Sequence, residues 1–432
     1  MRSESEIKDI MEKVLSRCSA DESQVEYSFQ NNHATRFAEN AITQNQGGRE
    51  EELHLTVAFG SRHCSCTTNR VDEEALDDLV ERSEKGAKAA PEDPEYVPLP
   101  DAQDYPDVPQ RYYEDVDAAG PHQVAEGVKH TVEVARSKDY AASGLFETKW
   151  GISAVCNSKG LYGFDKYSEV DYSTTMHGPD GSGSAWANSE SMADVSPSKE
   201  AQKALETAEA AQGPEEIEPG DYTVIFEPQA VFDLLEFMAY LDMDARDADE
   251  GTTVFADKVG EQIFSEKVNL SLEIDDPDLP APPFGDDGVA ARRTKWVEDG
   301  VLRRLHHDRY WAQQKGTDPD PLIFPMFMAG GSSSVDEMVE DCDKGLLVKR
   351  LWYIRYVDKK QLLLTGLTRD GLFLIENGEI AGPVQNLRFN ESPLVFLSNV
   401  VALGEARRVG PSAKIPAVMS ENFTFSSKTK SV

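Results

Sequence analysis

Apolar side chains return every three or four residues through Ile7, Ile10, Met11, Val14, Leu15 and Cys18, the spacing of one face of an amphipathic helix. Ser3 and Glu6 stand in capping-box register ahead of them, where hydroxyl and carboxylate satisfy backbone donors at the helix start. The period then changes to two: in "ELHLTVAFG" (52–60), Leu53, Leu55, Val57 and Phe59 alternate with polar neighbours, as in a half-buried strand. Helical spacing returns over 72–90 (Ala75, Leu76, Leu79, Val80) and over 121–138 (Val124, Val128, Val132, Ala135). Between these two lies "PEDPEYVPLPDAQDYPDVP" (91–109), whose prolines remove backbone donors and forbid a regular ladder. It predicts an extended connector.

From 140 to about 188 the text alternates like strands with glycine punctuation, and the alanine-rich "SKEAQKALETAEAAQ" (198–212) closes the segment as a helix. The following "GPEEIEPGD" (213–221) has almost nothing to bury and is the expected boundary between an N-terminal α/β domain (1–212) and a strand-rich C-terminal domain (222–432). The second domain opens with the strand "YTVIF" (222–226) and an apolar helix through "EPQAVFDLLEFMAYL". Strands and turns fill most of the rest, with a capped helix predicted at 334–345 from Ser334 and Glu337. The fold class is therefore α+β, and 432 residues suit about two domains.

Composition narrows the function. The 78 Asp and Glu against 43 Lys and Arg give a net charge of -35, and 71–120 alone carries 16 acids and 4 bases. Such a field repels phosphate and anionic lipid, so nucleic acid and membrane are not expected partners. A surface this acidic suits a salt-rich cytosol, where ions screen the carboxylates, and points to a halophilic source. Five scattered cysteines (Cys18, Cys64, Cys66, Cys156, Cys342) do not form the framework of a disulfide-stapled domain and suit a reducing compartment. No signal-type apolar core opens the chain, so a cytoplasmic location is expected.

The familiar catalytic motifs are missing. There is no GxSxG, GxxxxGK[ST], HExxH or paired CxxC. "HCSC" (63–66) places Cys64 and Cys66 on one face of a strand, but no second Cys/His cluster supplies four zinc ligands, and small residues packed on a strand explain it. Adjacent His306 and His307 point in different directions and read as solvated surface residues. The acidic pairs in "EIDDPDLP" and "FGDDGVAARR" are ordinary in a chain so rich in acids. "AGGSSS" (329–334) reads as a turn feeding a helix cap, and its glycine-flanked backbone at Gly330, Gly331 and Ser332 is the candidate strip for pairing with an extended peptide.

Six phrases taken together change this picture: "TRFAENAITQN", "AAPEDPEYVPLP", "GTTVFADKVGE", "FGDDGVAARRTKWVEDGVLRR", "MFMAGGSSSVDEMVEDCDKGLLV" and "FLIENGEIAGPVQNLRF". In this order, over nearly the whole chain, they resemble the TldD/PmbA (TldD/TldE) family of cytoplasmic metallopeptidase subunits. The resemblance implies an N-terminal α/β domain, a strand-rich C-terminal domain, and two related subunits around a groove that admits unfolded or short peptides. In the catalytic type, HExxxH on a helix and a later cysteine hold zinc, and the glutamate serves the attacking water.

With "GTTVFADKVGE" as anchor, the motif falls on "EFMAYL" (236–241). Glu236 and Leu241 stand at the histidine positions, Phe237 at the catalytic glutamate and Val409 at the cysteine. The resemblance is therefore to the TldE/PmbA-type subunit that lacks the motif, with no catalytic residue and no cofactor of its own, zinc being expected in a partner that carries HExxxH. Two alternatives stand beside it: an autonomous metallopeptidase with substitute ligands such as Glu236 and Asp286 or Asp287, and a peptide-binding module with no hydrolytic role. The charge makes its own prediction. If the surface is adapted to salt, thermal melts should rise between low and molar salt as carboxylate repulsion is screened; a midpoint indifferent to salt removes the halophile inference.

Overall fold

The computed structural model describes residues 2–322 and 324–429, and within them every side chain except those of Tyr240 and Leu241. Helix α1 (Glu4–Arg17) begins at the predicted capping box, with the Ser3 hydroxyl accepting from Glu6 N and the Glu6 carboxylate accepting from Ser3 N. Three strands follow, β1 (Glu22–Ala38), β2 (Ala41–Phe59) and β3 (Arg62–Thr68), then α2 (Glu73–Ala89), capped by Asp72, a short α3 (Glu114–Ala118) and α4 (Pro121–Arg136). Strands β4 (Ala141–Asn157), β5 (Tyr162–His177) and β6 (Ser182–Ser189) and helix α5 (Pro197–Ala210) complete the first half.

All six strands form one antiparallel sheet in the order β3-β2-β1-β4-β5-β6. Helices α1 and α2 close one core against it around Ile7, Met11, Leu53, Leu55 and Val57. Helices α4 and α5 close a second around Val124, Val128, Phe146, Tyr172 and Ala204. Sequence patterning leaves β1 and α3 unassigned. In β1 the polar run "QNNHAT" interrupts the alternation, yet the strand forms because β2 and β4 supply ladder partners along both its edges. Tertiary pairing overrides weak local propensity there.

The second half begins with β7 (Gly220–Phe226), α6 (Pro228–Leu241) and α7 (Ala245–Asp249). Short strands β8 (Leu270–Leu272), β9 (Thr294–Glu298) and β10 (Val301–Leu302), helix α8 (Arg309–Lys315), β11 (Met326–Met328) and α9 (Val335–Glu340) come next. Helix α9 carries the predicted Ser334–Glu337 capping box but stops at Glu340, because Lys344 already enters the next strand. That strand is β12 (Lys344–Asp358), followed by β13 (Leu363–Glu376), β14 (Glu379–Pro383), β15 (Leu387–Glu391), α10 (Pro393–Ser398), β16 (Val400–Leu403), β17 (Arg407–Val409), β18 (Ala413–Ile415) and β19 (Val418–Lys428).

Strands β12, β7, β19, β15 and β13 pair in sequence, and β13 pairs back onto β12, so the five close on themselves. A second sheet runs β10-β9-β8-β11-β18-β17. Helix α6 lies in the core they share, with Val231, Leu234, Leu235 and Met238 fully buried beside Phe226, Phe396 and Phe423. The fold is mixed α+β, with an N-terminal sheet-and-helix part and a strand-rich C-terminal part, and no helix among the described residues is long and apolar enough to cross a membrane.

The proline-rich connector is extended, as its composition predicts, and it runs across both halves. Glu22 of β1 accepts from Tyr96 OH (2.6 Å) and Leu99 N (2.9 Å), while Gln103 and Tyr105 both donate to Gly288 O, at 3.0 and 2.8 Å. Arg246 of α7 grips Glu95 through two hydrogen bonds of 2.9 Å. The histidine pair departs from expectation. His306 and His307 are half-buried: His306 faces Asp244 at 3.9 Å, and His307 Nδ1 sits 2.8 Å from Leu305 O and 3.6 Å from Asp320.

Asp320 is the buried hub of that region, holding Arg292 (2.9 Å), Arg304 (2.8 Å) and the His307 amide (3.0 Å). Burial pushes its carboxyl up, but the hydrogen bonds from His307, Arg304 and Arg292 outweigh it and hold the group below the ordinary carboxylate range. Its stabilisation is therefore complete above the unfolded value of about 3.9 and is lost as pH falls through the lower folded value. Asp320→Asn should cost about 1–3 kcal/mol at neutral pH, since two charged donors lose their ionic acceptor. The difference from wild type should shrink in acid, as denaturant titrations at pH 7 and pH 3 would show.

Candidate functional site

Helix α6 starts where Pro228 occupies its first turn after the extended Glu227, a position where the missing proline donor costs nothing. Its apolar residues pack inward and leave Glu236 exposed. Partial burial raises the Glu236 carboxyl above its ordinary value. Phe237 packs edge-to-face on Tyr356, centroids 5.7 Å apart. Behind it the Tyr356 hydroxyl donates to the buried Asp242 at 2.5 Å and to Phe237 O at 3.3 Å. Burial raises the Asp242 carboxyl, and its second oxygen has no hydrogen-bond partner among the described residues. One turn back, Asp233 accepts from Gln229 (2.8 Å) and Leu351 N (3.0 Å), and burial pushes it up to about 6. These carboxylates tie the helix to β12.

The residues at the metal positions that the resemblance implies do not fit a zinc ion. Val409 is buried in the apolar core, Phe237 is a ring in a stack, and the Leu241 side chain lies outside the described residues. Only Glu236 has a donor atom, and one carboxylate is a poor zinc site. Among the described residues no three His, Cys, Asp or Glu side chains gather in a way that would hold a metal. Asp286 and Asp287 lie beside Glu26 of β1, where Asp287 accepts from Val289 N at 3.0 Å and faces Arg309 at 3.8 Å. Asp276 and Asp278 each pair with Lys414 at 2.8 Å. Cys64 and Cys66 share one half-buried face of β3, as predicted, and are free thiols.

A cleft of about 650 Å³ lies between the two halves. Strand β6 and helix α5 form one wall; β12, β14, β17 and the start of α6 form the other. Val409 lies in its lining, whereas Glu236 lies two turns further along α6 from Gln229, about 10 Å at 1.5 Å per residue. The walls carry the ion pairs Glu227–Lys349 and Glu200–Lys203. Arg408 crosses the gap to Glu190 at 2.6 and 2.8 Å and to Asn188.

Three polar groups of the cleft lining stand apart. Exposed Arg407 has no carboxylate partner among the described residues, and Ser184 Oγ and Asn188 Nδ2 are buried without hydrogen bonds. Among the described residues strand β6 pairs with β5 alone and is thus an edge strand of its sheet. Sequence reasoning missed this group; its one visible signal is the adjacent arginine pair beside Val409 in a chain dominated by acids.

Gly330, Gly331 and Ser332 lie outside the cleft lining, on an exposed turn between β11 and α9. Part of their backbone is already engaged: Gly331 N donates to Gly404 O at 2.7 Å, and Ser333 N to Leu403 O at 3.3 Å.

Comparison with known proteins places these features in a wider group. Residues 219–427 match the family model described as the PmbA/TldA metallopeptidase C-terminal domain. A metalloprotease of Methanothermobacter thermautotrophicus is 30% identical over 178 residues, covering 37% of this chain and 38% of that protein. A metalloprotease of Archaeoglobus fulgidus is 29% identical over 168 residues, covering 35% and 38%. The match thus spans under two-fifths of the length of these curated relatives. Among solved structures, a Thermotoga maritima protein described as a candidate modulator of a DNA gyrase superposes with TM-score 0.87 at 16% identity, covering 97% of this chain and 100% of that one. TldE from Thermococcus kodakarensis superposes with TM-score 0.85 at 19% identity, covering 97% and 99%.

The glycine turn makes a testable point about its own role. A Cβ on Gly331 would lie 2.4 Å from Leu403 O, and one on Gly330 would lie 2.6 Å from Ala406 N. Gly331→Val should therefore destabilise the fold by about 1–3 kcal/mol through overpacking. A melting temperature equal to wild type would show that the turn has room to relax.

Proposed function

We propose that this chain, whose residues 219–427 belong to the PmbA/TldD metallopeptidase family, is the non-catalytic member of a two-subunit peptidase acting on unfolded or short peptides. Its role is to help hold peptide beside a related subunit that carries HExxxH and the zinc. One observation carries this: Val409 is buried among apolar side chains and Phe237 is stacked on Tyr356, so two of the family's functional positions are spent on packing. Neither side chain can bind a metal or accept a proton.

The cleft suits a bound peptide. As an edge strand, β6 offers backbone donors and acceptors to an extended chain, which is strand addition with side chains alternating between two walls. Trp186 and the exposed Ile380 offer apolar surface along the way, and Arg407 offers a charge-assisted bond to a carboxylate. In a peptidase pair, the partner's zinc would supply the Lewis acid that activates water for hydrolysis. This chain's residues would orient the peptide and limit its motion, with the entropic advantage that positioning brings.

Metal content and activity of the separated and combined chains test the proposal. Purified alone, this chain should hold well under one zinc per molecule and cleave no peptide. With the HExxxH-bearing homologue from the same cell it should form an active complex, and Glu236→Gln should leave that activity unchanged. Stoichiometric zinc in the isolated chain, with peptidase activity abolished by Glu236→Gln, would overturn the proposal in favour of an autonomous enzyme.

A further inference from the structure

The exposed face of the β12–β13 ribbon is unlike the rest of this molecule. Residues 344–360 contain six Lys and Arg and a single Asp, in a chain of net charge -35. Within that stretch Trp352, Tyr353 and Val357 are 40%, 60% and 54% exposed. The register of β12 against β13 shifts between Trp352 and Arg355, and at this bulge Tyr353 has φ +57°. A bulky aromatic residue in the left-handed region is costly, and the inference runs from such an outlier to a use for it. Here the bulge re-aims the strand so that both rings face solvent.

Arginines stack on those rings. The Arg350 guanidinium lies 4.9 Å from the Trp186 ring and 5.0 Å from Trp352, Arg369 lies 4.5 Å from Trp352, and Arg355 lies 4.5 Å from Tyr353. Arg350 and Arg369 also face Asp370, at 2.9 and 3.7 Å. Arg355 and Lys360 have no carboxylate partner among the described residues. Exposed Trp, Tyr and Arg held in place by stacking are the residues that carry most of the energy at protein interfaces. Trp186 belongs to both the ribbon stack and the cleft wall, so a body seated on the ribbon lies at the mouth of the cleft.

We infer that this ribbon is the docking surface for the partner subunit proposed above, and that the partner meets it with acidic groups around a site for the two rings. The inference rests on that proposal and adds where the subunits meet and by what chemistry. Two chains both as acidic as this one would repel each other over most of their surfaces; the ribbon gives a partner's carboxylates a local cationic target and sets the register of approach. The same acidic surround disfavours nucleic acid on this face, because phosphate would meet repulsion on every side.

The test uses the full chain and the HExxxH-bearing homologue from the same cell, with the dissociation constant measured by sedimentation. Tyr353→Gly removes the ring and suits the positive φ, so the fold should be unharmed; Arg355→Glu reverses an unpaired charge. Each should weaken the complex tenfold or more, while Val259→Glu, at an exposed apolar residue outside the ribbon, should leave it unchanged. Wild-type affinity in both ribbon variants would overturn the docking surface and leave the two-subunit proposal standing. No complex with wild-type protein would overturn both. Arg355-dependent binding of a fluorescent single-stranded oligonucleotide, without a complex, would overturn the inference in favour of a nucleic-acid face.

Discussion

One arginine ties the two walls of the cleft to each other. Arg408 leaves the edge strand β17 of the second half and meets Glu190 just past β6 of the first half, with 2.6 and 2.8 Å hydrogen bonds, while donating to Asp278 O at 2.8 Å. A planar, bidentate, well-shielded pair of this kind fixes orientation as well as distance, which a lysine would not do. Each half has its own apolar core, and only small apolar clusters, Val155 and Leu161 on Phe284 and Ala211 against the second half, bridge them, so polar ties share in seating one half on the other. The proline-rich strap and the buried Asp370, which accepts from Ser182 at 2.7 Å and Arg350 at 2.9 Å, add further polar ties across the junction.

Those polar ties also organise the surfaces beyond them. Asp370 is almost wholly buried, and by holding Arg350 it places a guanidinium between the rings of Trp186 and Trp352. The cationic ribbon is thus anchored from beneath by an acid. The net acidity of the chain is spread over helix faces and the connector, whereas its buried carboxylates (Asp233, Asp320, Asp370) are each committed to named donors. Screening by salt acts on the first group and little on the second.

Helix α6 is committed to packing where the resemblance implies a metal site. A ligand-bearing helix must leave polar atoms facing an open site; here Phe237 meets Tyr356, and Tyr356 in turn donates to Asp242 and to the helix backbone. The same helix face serves as packing against β12. In the neighbouring cleft Ser184 Oγ, Asn188 Nδ2 and Arg407 stand without a hydrogen-bonding or carboxylate partner among the described residues.

What depends on neighbours in the chain was legible in the sequence. The capping boxes at Ser3–Glu6 and Ser334–Glu337, the helix period of α1, α2, α4 and α5, the alternation of β2 and the extended proline strap are set within a few residues. Their hydrogen bonds and apolar faces are therefore written locally. The apolar character of 237 and 409 was legible too, because a side chain's inability to ligate does not depend on the fold. Tertiary structure alone decided the rest. Strand β1 forms through pairing on both edges despite its polar centre, and the histidine pair is half-buried because Asp244 and Asp320 lie opposite. The glycine turn is engaged by residues 403–404, more than 70 positions away. The Arg408–Glu190 tie and the stack of Trp186 on Arg350 join residues 218 and 164 positions apart, across a boundary where no local pattern carries information.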